Sequence, residues 1–483
     1  MKNNSTAVKF RWIAVAILLV ASFMDLLDTT IVNVALPAIQ ESLGASSSQL
    51  VWIISGYALS FAVLLITGGR LGDRYGRKTV FNIGVLGFTL ASLSCAFAQT
   101  PDALVISRLV QGGFAAIMIP QVLSIIQVLF RPEERAAVFG LTGAISGLAA
   151  VAGPLIGGLL VSSDAFELGW RSIFVINIPV GIALLIASLA FVPNSKSEKP
   201  VRLDPLGVGL IIAALFLVIF PLIQGREQGW PVWVWIMFAS SVVLIGIFVA
   251  LQRRQEKTSG GALIPPSLFN NRGFSAGVLT SFLAVSSIGA FFLIFALYLQ
   301  AGLGVSALDA GLTSLPFSVG AFFGSGVAVP LASKVGKYLI AAGAVLQLIG
   351  YTLIKEVILT KGDGLARGDL LLPLAIAGVG LTLILVPLAD LALAQTDVQN
   401  AGAASGVLNT LQQVGGAIGV AVISVLFFDA VGMNFSPAGL RGAFEVAIWV
   451  PLVAVTLTGL SSLLLPGVAV LAAQKKVAAK TRK

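Results

Sequence analysis

The stretch FMDLLDTTIVNVALP, Phe23 to Pro37, sets two carboxylates, Asp25 and Asp28, inside an otherwise apolar segment, and a lone cation, Arg108, interrupts a second apolar run, ALVISRLVQGG. Residues three apart share a helix face, so the two acids point the same way. Desolvation disfavours the charged form of such an acid, and it becomes a group that takes up and releases protons. A fixed guanidinium at the depth of Asp28 opposes the proton while close and readmits it on withdrawing, which couples protonation to movement. The competing reading is a static ion pair that only fixes packing. Asp25 has three readings: a second titratable group, since neighbouring acids do not ionise independently, a contact for a cationic ligand, or a hydrated residue without a role.

Little other chemistry is open to this chain. It has no His and one Cys, Cys95, which excludes a His-ligated metal, a Ser-His-Asp triad and an intramolecular disulfide. The stretch GDRYGRKT from Gly72 lacks the Gly-Lys-Thr order that cradles phosphate, and the longest loop between apolar runs is too short for an ATPase domain. The expectation is a non-enzyme without cofactor or metal, driven by a proton gradient.

The elements that position these residues follow from composition. With 57% hydrophobic and 11% charged residues and a mean hydropathy of +0.99, the chain belongs in a bilayer. Apolar runs near 12–37, 49–69, 79–98, 103–128, 136–162, 172–192, 206–223, 232–251, 274–299, 307–332, 338–356, 370–395, 402–427 and 443–470 each suit a membrane-crossing helix. Fourteen helices are expected, all-α, with no strand. Most of the 30 Lys and Arg fall on one side: Lys2, Lys9 and Arg11, then Arg70, Arg74, Arg77 and Lys78, Arg131 and Arg135, Lys196, Lys199 and Arg202, Arg253, Arg254, Lys257 and Arg272, Lys334 and Lys337, and the basic tail from Lys475 to Lys483. The opposite loops hold Arg171, Arg226, Lys355, Lys361, Arg367 and Arg441. Positive loops stay inside, so both termini are expected in the cytoplasm. This asymmetry accounts for the net charge of +9 without a nucleic-acid partner. The first apolar run is too long for a cleaved signal peptide and no A-x-A-like site ends it.

A repeat is visible in DRYGR (Asp73 to Arg77) and SKVGK (Ser333 to Lys337), which follow the second helix of each half. Each is followed by a Gly-rich helix at a matching distance, at Gly153 and at Gly415. Two six-helix bundles are implied, residues 1–195 and 261–483. The segment 196–260 holds two extra helices, set off by KSEKP (Lys196 to Pro200) and RRQEKTSGG (Arg253 to Gly261).

At these residues the sequence resembles the major facilitator superfamily, and within it the 14-helix drug:proton antiporters. Four motifs carry the resemblance in order: LDTTIVNVALP (Leu27 to Pro37), GRLGDRYGRK (Gly69 to Lys78), RLVQGGFAA (Arg108 to Ala116) and GLAAVAGPLIGG (Gly147 to Gly158). ALYLQAGLGVSALDAG (Ala296 to Gly311) and GAASGVLNTLQQVGGAIG (Gly402 to Gly419) are similar to the family's second half. The resemblance implies proton coupling through Asp28 and Arg108. It also implies that the cytoplasmic gating loop of Gly69, Gly72, Asp73, Arg74, Gly76, Arg77 and Lys78 latches the bundles in the outward-facing state; the residues themselves place Asp73 to cap a helix end and Arg74, Arg77 and Lys78 to pair with acids or lipid, with an ordinary positive-inside loop as the competing reading. In helix 5, Gly143, Gly147, Gly153, Pro154, Gly157 and Gly158 allow close packing and a bend at Pro154; an antiporter seal and ordinary small-residue packing are both open. The second-half loop departs from the first in having Ser333 where Asp73 stands.

Candidate cavity residues are Trp52, Tyr57, Phe61, Gln111, Gln121, Phe291, Phe295, Tyr298, Asn409 and Gln412, which combine aromatic and amide character, with Asp390 either a cavity acid or interfacial. The function expected is proton-coupled antiport exporting lipophilic, cationic drugs or toxic metabolites by alternating access in the plasma (inner) membrane. Its partners are a small-molecule substrate, protons and membrane lipid, and the chain acts as a monomer. A proton symporter for uptake and a non-transporting membrane sensor remain as alternatives.

Overall fold

Inside hydrocarbon every backbone N–H and C=O must find a partner within its own segment, and helices accordingly dominate. The computed structural model describes residues 10–130, 145, 148–149, 152–163, 167–196, 204–225, 228–258, 262–393, 401–432 and 435–467. The first six spans are α1 (Arg11–Leu43), α2 (Ser47–Tyr75), α3 (Arg77–Ala96), α4 (Pro101–Leu129), α5 (Ala152–Ser163) and α6 (Asn177–Phe191), the last preceded by a helical turn, Ser172–Val175. Then come α7 (Pro205–Gln224) and α8 (Val232–Thr258). The remainder are α9 (Arg272–Leu297), continued by a wider turn at Tyr298–Gly302, α10 (Ala307–Val335), α11 (Lys337–Lys361), α12 (Arg367–Leu393), α13 (Ala401–Val431), α14 (Pro437–Ala447) and α15 (Trp449–Ser462). Among the described residues thirteen spans are long and apolar enough to cross a membrane, with α14 and α15 forming one of them, and α5 is a shorter apolar helix. Each expected span meets a helix.

Local chemistry sets the ends. Ser46 opens α2 with a capping box: its hydroxyl accepts from Gln49 N, and the Gln49 side chain accepts from Ser46 N. Gln49 Nε2 also donates to Asp102 at 2.6 Å, tying the start of α2 to the first turn of α4. Thr100 caps α4 through Ala103 N, with Pro101 at the first helical position. Exposed apolar side chains recur at helical spacing, as with Ile182, Ile186 and Leu189 on α6, where a water-soluble helix would carry charge.

The chain divides into two compact units, Met1–Leu263 with Gly304–Leu312, and Ile264–Leu303 with Thr313–Lys483. Each unit repeats the same packing. In the first, α3 packs on α4 and α6, and a Cβ at Gly153 or Gly157 of α5 would strike Thr30 or Ile31 of α1. In the second, α11 packs on α12 and α15, and a Cβ at Gly415 or Gly419 of α13 would strike the backbone of α9 at Phe282 or Ser286. The helix breaks repeat too: Gly76 has φ 106° and Gly336 φ 60°, each in a positive-φ conformation that side-chain-bearing residues rarely adopt.

The extra helices α7 and α8 pair with each other and lie with the first unit. Ser241 Oγ of α8 donates to Ala214 O at 2.8 Å. Asp204 caps α7 by accepting from Gly207 N at 2.9 Å and receives Gln252 Nε2 from α8 at 2.7 Å. Burial pushes the Asp204 carboxyl up, but hydrogen bonds from Gln255, Gly207 N and Gln252 and the Arg70 charge outweigh it, so the group sits below its ordinary value.

Candidate functional site

Five elements of the first unit converge on one buried polar cluster. Arg108 lies two turns into α4, and its Nη1 donates to Asp28 Oδ2 at 2.5 Å. Both side chains are almost wholly buried, Arg108 1% and Asp28 1% exposed. Gln111, one turn further along α4, accepts from Arg108 Nη1 at 2.8 Å and donates to Asp28 Oδ1 at 2.9 Å. Asn177 at the start of α6 donates to Asp28 Oδ1 at 2.9 Å and to Ser92 Oγ of α3 at 3.0 Å, while Ser92 donates to Phe174 O. Arg108 Nε bonds Ile53 O of α2 at 3.2 Å, and the guanidinium lies 4.2 Å from the Tyr57 ring centroid and 5.7 Å from that of Phe174. Tyr57 in turn donates its hydroxyl to Asp25 at 2.5 Å and stacks on Phe61. A charged pair this deep in a membrane needs such a shell, because an unsatisfied charge there is very costly.

Asp25, Asp28 and Arg108 are thus brought together, and Tyr57 and Gln111, expected to line a cavity, belong to the same cluster. Asn177 and Ser92 were missed. Their only signal is a lone amide and a hydroxyl in apolar runs rich in such single polar residues.

The GRLGDRYGRK segment is less a loop than two helix ends. Gly69, Gly72, Asp73 and Arg74 lie inside α2, Arg77 and Lys78 inside α3, and Gly76 alone falls between the helices. Gly72 is a packing glycine, since a Cβ there would run into the Gln121 side chain of α4. Asp73 caps nothing, contrary to expectation: it sits in the last turn of α2, where no backbone N–H is free, and accepts from Arg77 Nη2 at 2.8 Å across the break. Arg77 N donates to Ser195 O and Lys78 Nζ to Leu189 O, both at 2.9 Å, so the segment grips the end of α6.

Residues 18–420 match the Major Facilitator Superfamily. The chain belongs to this superfamily. This Major Facilitator Superfamily transporter is 44% identical over 427 residues to the probable actinorhodin transporter of Streptomyces coelicolor, covering 87% of this chain and 73% of that protein. It is 33% identical to the tetracenomycin C resistance and export protein of Streptomyces glaucescens, with 88% and 76% covered, and 32% identical to the methylenomycin A resistance protein of Bacillus subtilis, with 94% and 98% covered. Among solved structures, a D-xylose-proton symporter shares the fold with a TM-score of 0.67 at 15% identity, over 95% of this chain and 99% of that one.

In the transporter, Gly153 and Gly157 of α5 press on Thr30 and Ile31, half a turn and more beyond Asp28. A Cβ at Gly311, in the first turns of α10, would meet the Pro154 carbonyl, and Gly158 is buried. Gly143 and Gly147 lie outside the described residues, so the bend expected at Pro154 has no described helix before it. The remaining cavity candidates are mostly packed. Trp52 faces α7, with ring centroids 6.3 Å from Phe216 and 6.2 Å from Phe220. Gln121 donates to Gly68 O of α2 at 2.8 Å. In the second unit Phe291 stacks on Tyr351 at 4.4 Å and on Phe295 at 5.2 Å, and Tyr298 packs on Phe444. Gln412 donates to Ser281 at 2.6 Å, and Asn409 is half-buried. The side chains of Asp390 and Ser333 lie outside the described residues.

Proposed function

We propose that the transporter is a proton-coupled antiporter exporting lipophilic, cationic drugs or toxic metabolites across the plasma (inner) membrane, with both termini cytoplasmic. The observation that carries this reading is the Asp28–Arg108 pair with its amide shell, buried between five helices. A proton arriving on Asp28 removes the charge that holds Arg108, and the Gln111 and Asn177 amides then bond a neutral acid less strongly than a carboxylate. The bonds that tie α1 to α4 and α6 through Asp28 are thereby weakened, and the helices are freer to shift. Protonation from one side and release to the other therefore alternate with substrate release and uptake. The relatives' names, an antibiotic transporter and two antibiotic resistance proteins, support export and small-molecule substrates.

The test is substrate-dependent proton movement by the purified protein in proteoliposomes carrying an internal pH indicator, screened over neutral and cationic dyes and antibiotics. Antiport moves protons opposite to the substrate, and Asp28→Asn abolishes the signal while the protein remains folded. Protons moving with the substrate establish a symporter, and absence of any flux across the screen establishes a sensor.

A further inference from the structure

We propose that Asp25 is a second proton-binding site of the transporter, and that in this arrangement the cluster's exchangeable proton resides on Asp25 while Asp28 stays ionised. The inference rests on the proton-coupled reading and says where the proton is kept.

The charges in the cluster do not balance unless a proton is bound. Two carboxylates and one guanidinium share a space from which water is nearly excluded, with Asp25 only 5% exposed. The surrounding elements add no second cation among the described residues. The charged and titratable groups facing Asp25 are Asp28 from its own helix, Tyr57 from α2 and Arg108 from α4. On α3 the nearest titratable group is the Cys95 thiol, which touches Gln111, and α6 contributes the neutral Asn177. Arg171, in the short helical turn Gly169–Arg171 that packs against α1, is engaged with Ala98 O and the Trp170 ring. One negative charge is therefore in excess unless one acid is neutral, and an uncompensated charge at this depth is far costlier than a bound proton.

Hydrogen bonding decides which acid is neutral. Asp28 accepts N–H bonds from Arg108, Gln111 and Asn177, one of them cationic, and N–H groups only donate. All three favour the carboxylate. Asp25 is held by the Tyr57 hydroxyl, which can donate to a carboxylate and accept from a carboxylic acid. That partner accommodates either state without moving a side chain. The Arg108 guanidinium also lies over the Tyr57 ring, 4.2 Å from its centroid, so a change of charge on Asp25 is felt at the guanidinium that holds Asp28. The step is proton binding alone: an O–H bond forms on Asp25 with a proton from water and breaks when the proton returns to water.

Infrared difference spectroscopy of the purified, substrate-free protein at neutral pH reads this directly through the carbonyl stretch of protonated carboxyl groups. Wild type is expected to show a band that loses one carboxyl equivalent in Asp25→Asn. Tyr57→Phe, which removes only the hydroxyl, shifts the band, and Gln111→Leu, which removes a bond to Asp28 and none to Asp25, leaves it in place. A band that survives Asp25→Asn, or that moves with Gln111→Leu and ignores Tyr57→Phe, puts the proton on Asp28 and overturns the proposal. So does a wild-type spectrum without the band. Because no substrate is used, the two readings separate. If drugs move without protons while the band behaves as expected, the antiport reading falls and the site stands; if the band is missing while drugs expel protons, the site falls and antiport stands.

Discussion

Asp28 is bonded by three donors from two other helices, and removing any one of them changes the cost of its charge. Arg108→Ala leaves the carboxylate buried without its cation and is expected to cost about 3–5 kcal/mol of stability. Thermal unfolding in detergent checks this, and adding Asp28→Asn to Arg108→Ala should recover most of the loss, because the orphaned charge is then gone. Failure of the double variant to recover would mean that the arginine acts through its contacts with Ile53 O and the Tyr57 ring. Asn177→Ala removes one neutral donor and is expected to cost about 1 kcal/mol and to move the pH dependence of transport, since its bond favours the ionised form of Asp28. An unchanged pH profile would assign Asn177 to packing through Ser92 alone.

At the scale of elements, close approach of helices is what glycines permit. Gly153→Ala drives a methyl group into Thr30, and overpacking of this kind costs about 1–3 kcal/mol and displaces α5 from α1 beside Asp28. Proton leak in the absence of substrate distinguishes a seal from mere packing: a seal predicts faster leak in Gly153→Ala than in wild type, and packing predicts lower stability with no leak. Asp73→Asn breaks the bridge to Arg77 across Gly76, roughly 20 Å or more from a mid-membrane site. It is expected to slow transport and leave equilibrium drug affinity intact; a large loss of affinity would contradict a gating role. Asp204 ties α7 to α8 in its ionised form, and its folded value lies below the ordinary one. Its stabilisation is therefore complete above the unfolded value and is lost as pH falls through the lower, folded one. The anchoring of α7 and α8 is expected to be unchanged across physiological pH, and Asp204→Ala to loosen it at every pH, read by protease access to the 197–203 segment.

The whole molecule is oriented by its charge asymmetry and driven by the membrane. Single cysteines at Ser197 and Ser259 are expected to react with a membrane-impermeant reagent from the cytoplasmic side only, and at Ser163 and Gly364 from the outside only. The native Cys95 is fully buried and does not interfere. Labelling of position 197 from outside would overturn the fourteen-span topology. One proton entering through about 100 mV gains roughly 2.3 kcal/mol. For a monovalent cation exchanged against one proton this term cancels, leaving roughly 1.4 kcal/mol per pH unit. A second carboxylate that moves a second proton restores the voltage drive. Cation efflux from proteoliposomes should then accelerate with an imposed potassium diffusion potential at fixed pH in wild type and lose that response in Asp25→Asn. An equal response in both would put the second proton on a group other than Asp25.

The all-helical membrane fold, the placement of its apolar spans, the repeat across DRYGR and SKVGK and the two acids with their arginine were all legible in the sequence alone. Each follows from water, hydrocarbon and local backbone conformation, which act on short stretches of chain. Helix ends were less legible: α2 runs on through Asp73 to Tyr75 because Gly76, at positive φ, breaks it, and nothing in the run itself says that Asp73 will pair with Arg77 and leave the helix end uncapped. Only the tertiary structure decided which of many buried polar side chains meet. Asn177 and Ser92 join Asp28 from helices distant in sequence, whereas Trp52 and Gln121 turn to α7 and α2, because inside a bilayer a polar or aromatic side chain takes whatever partner the neighbouring helix presents at its own depth and face. Depth and rotation of one helix against the next are set by the glycines and bulky residues of both, and no single segment contains that information.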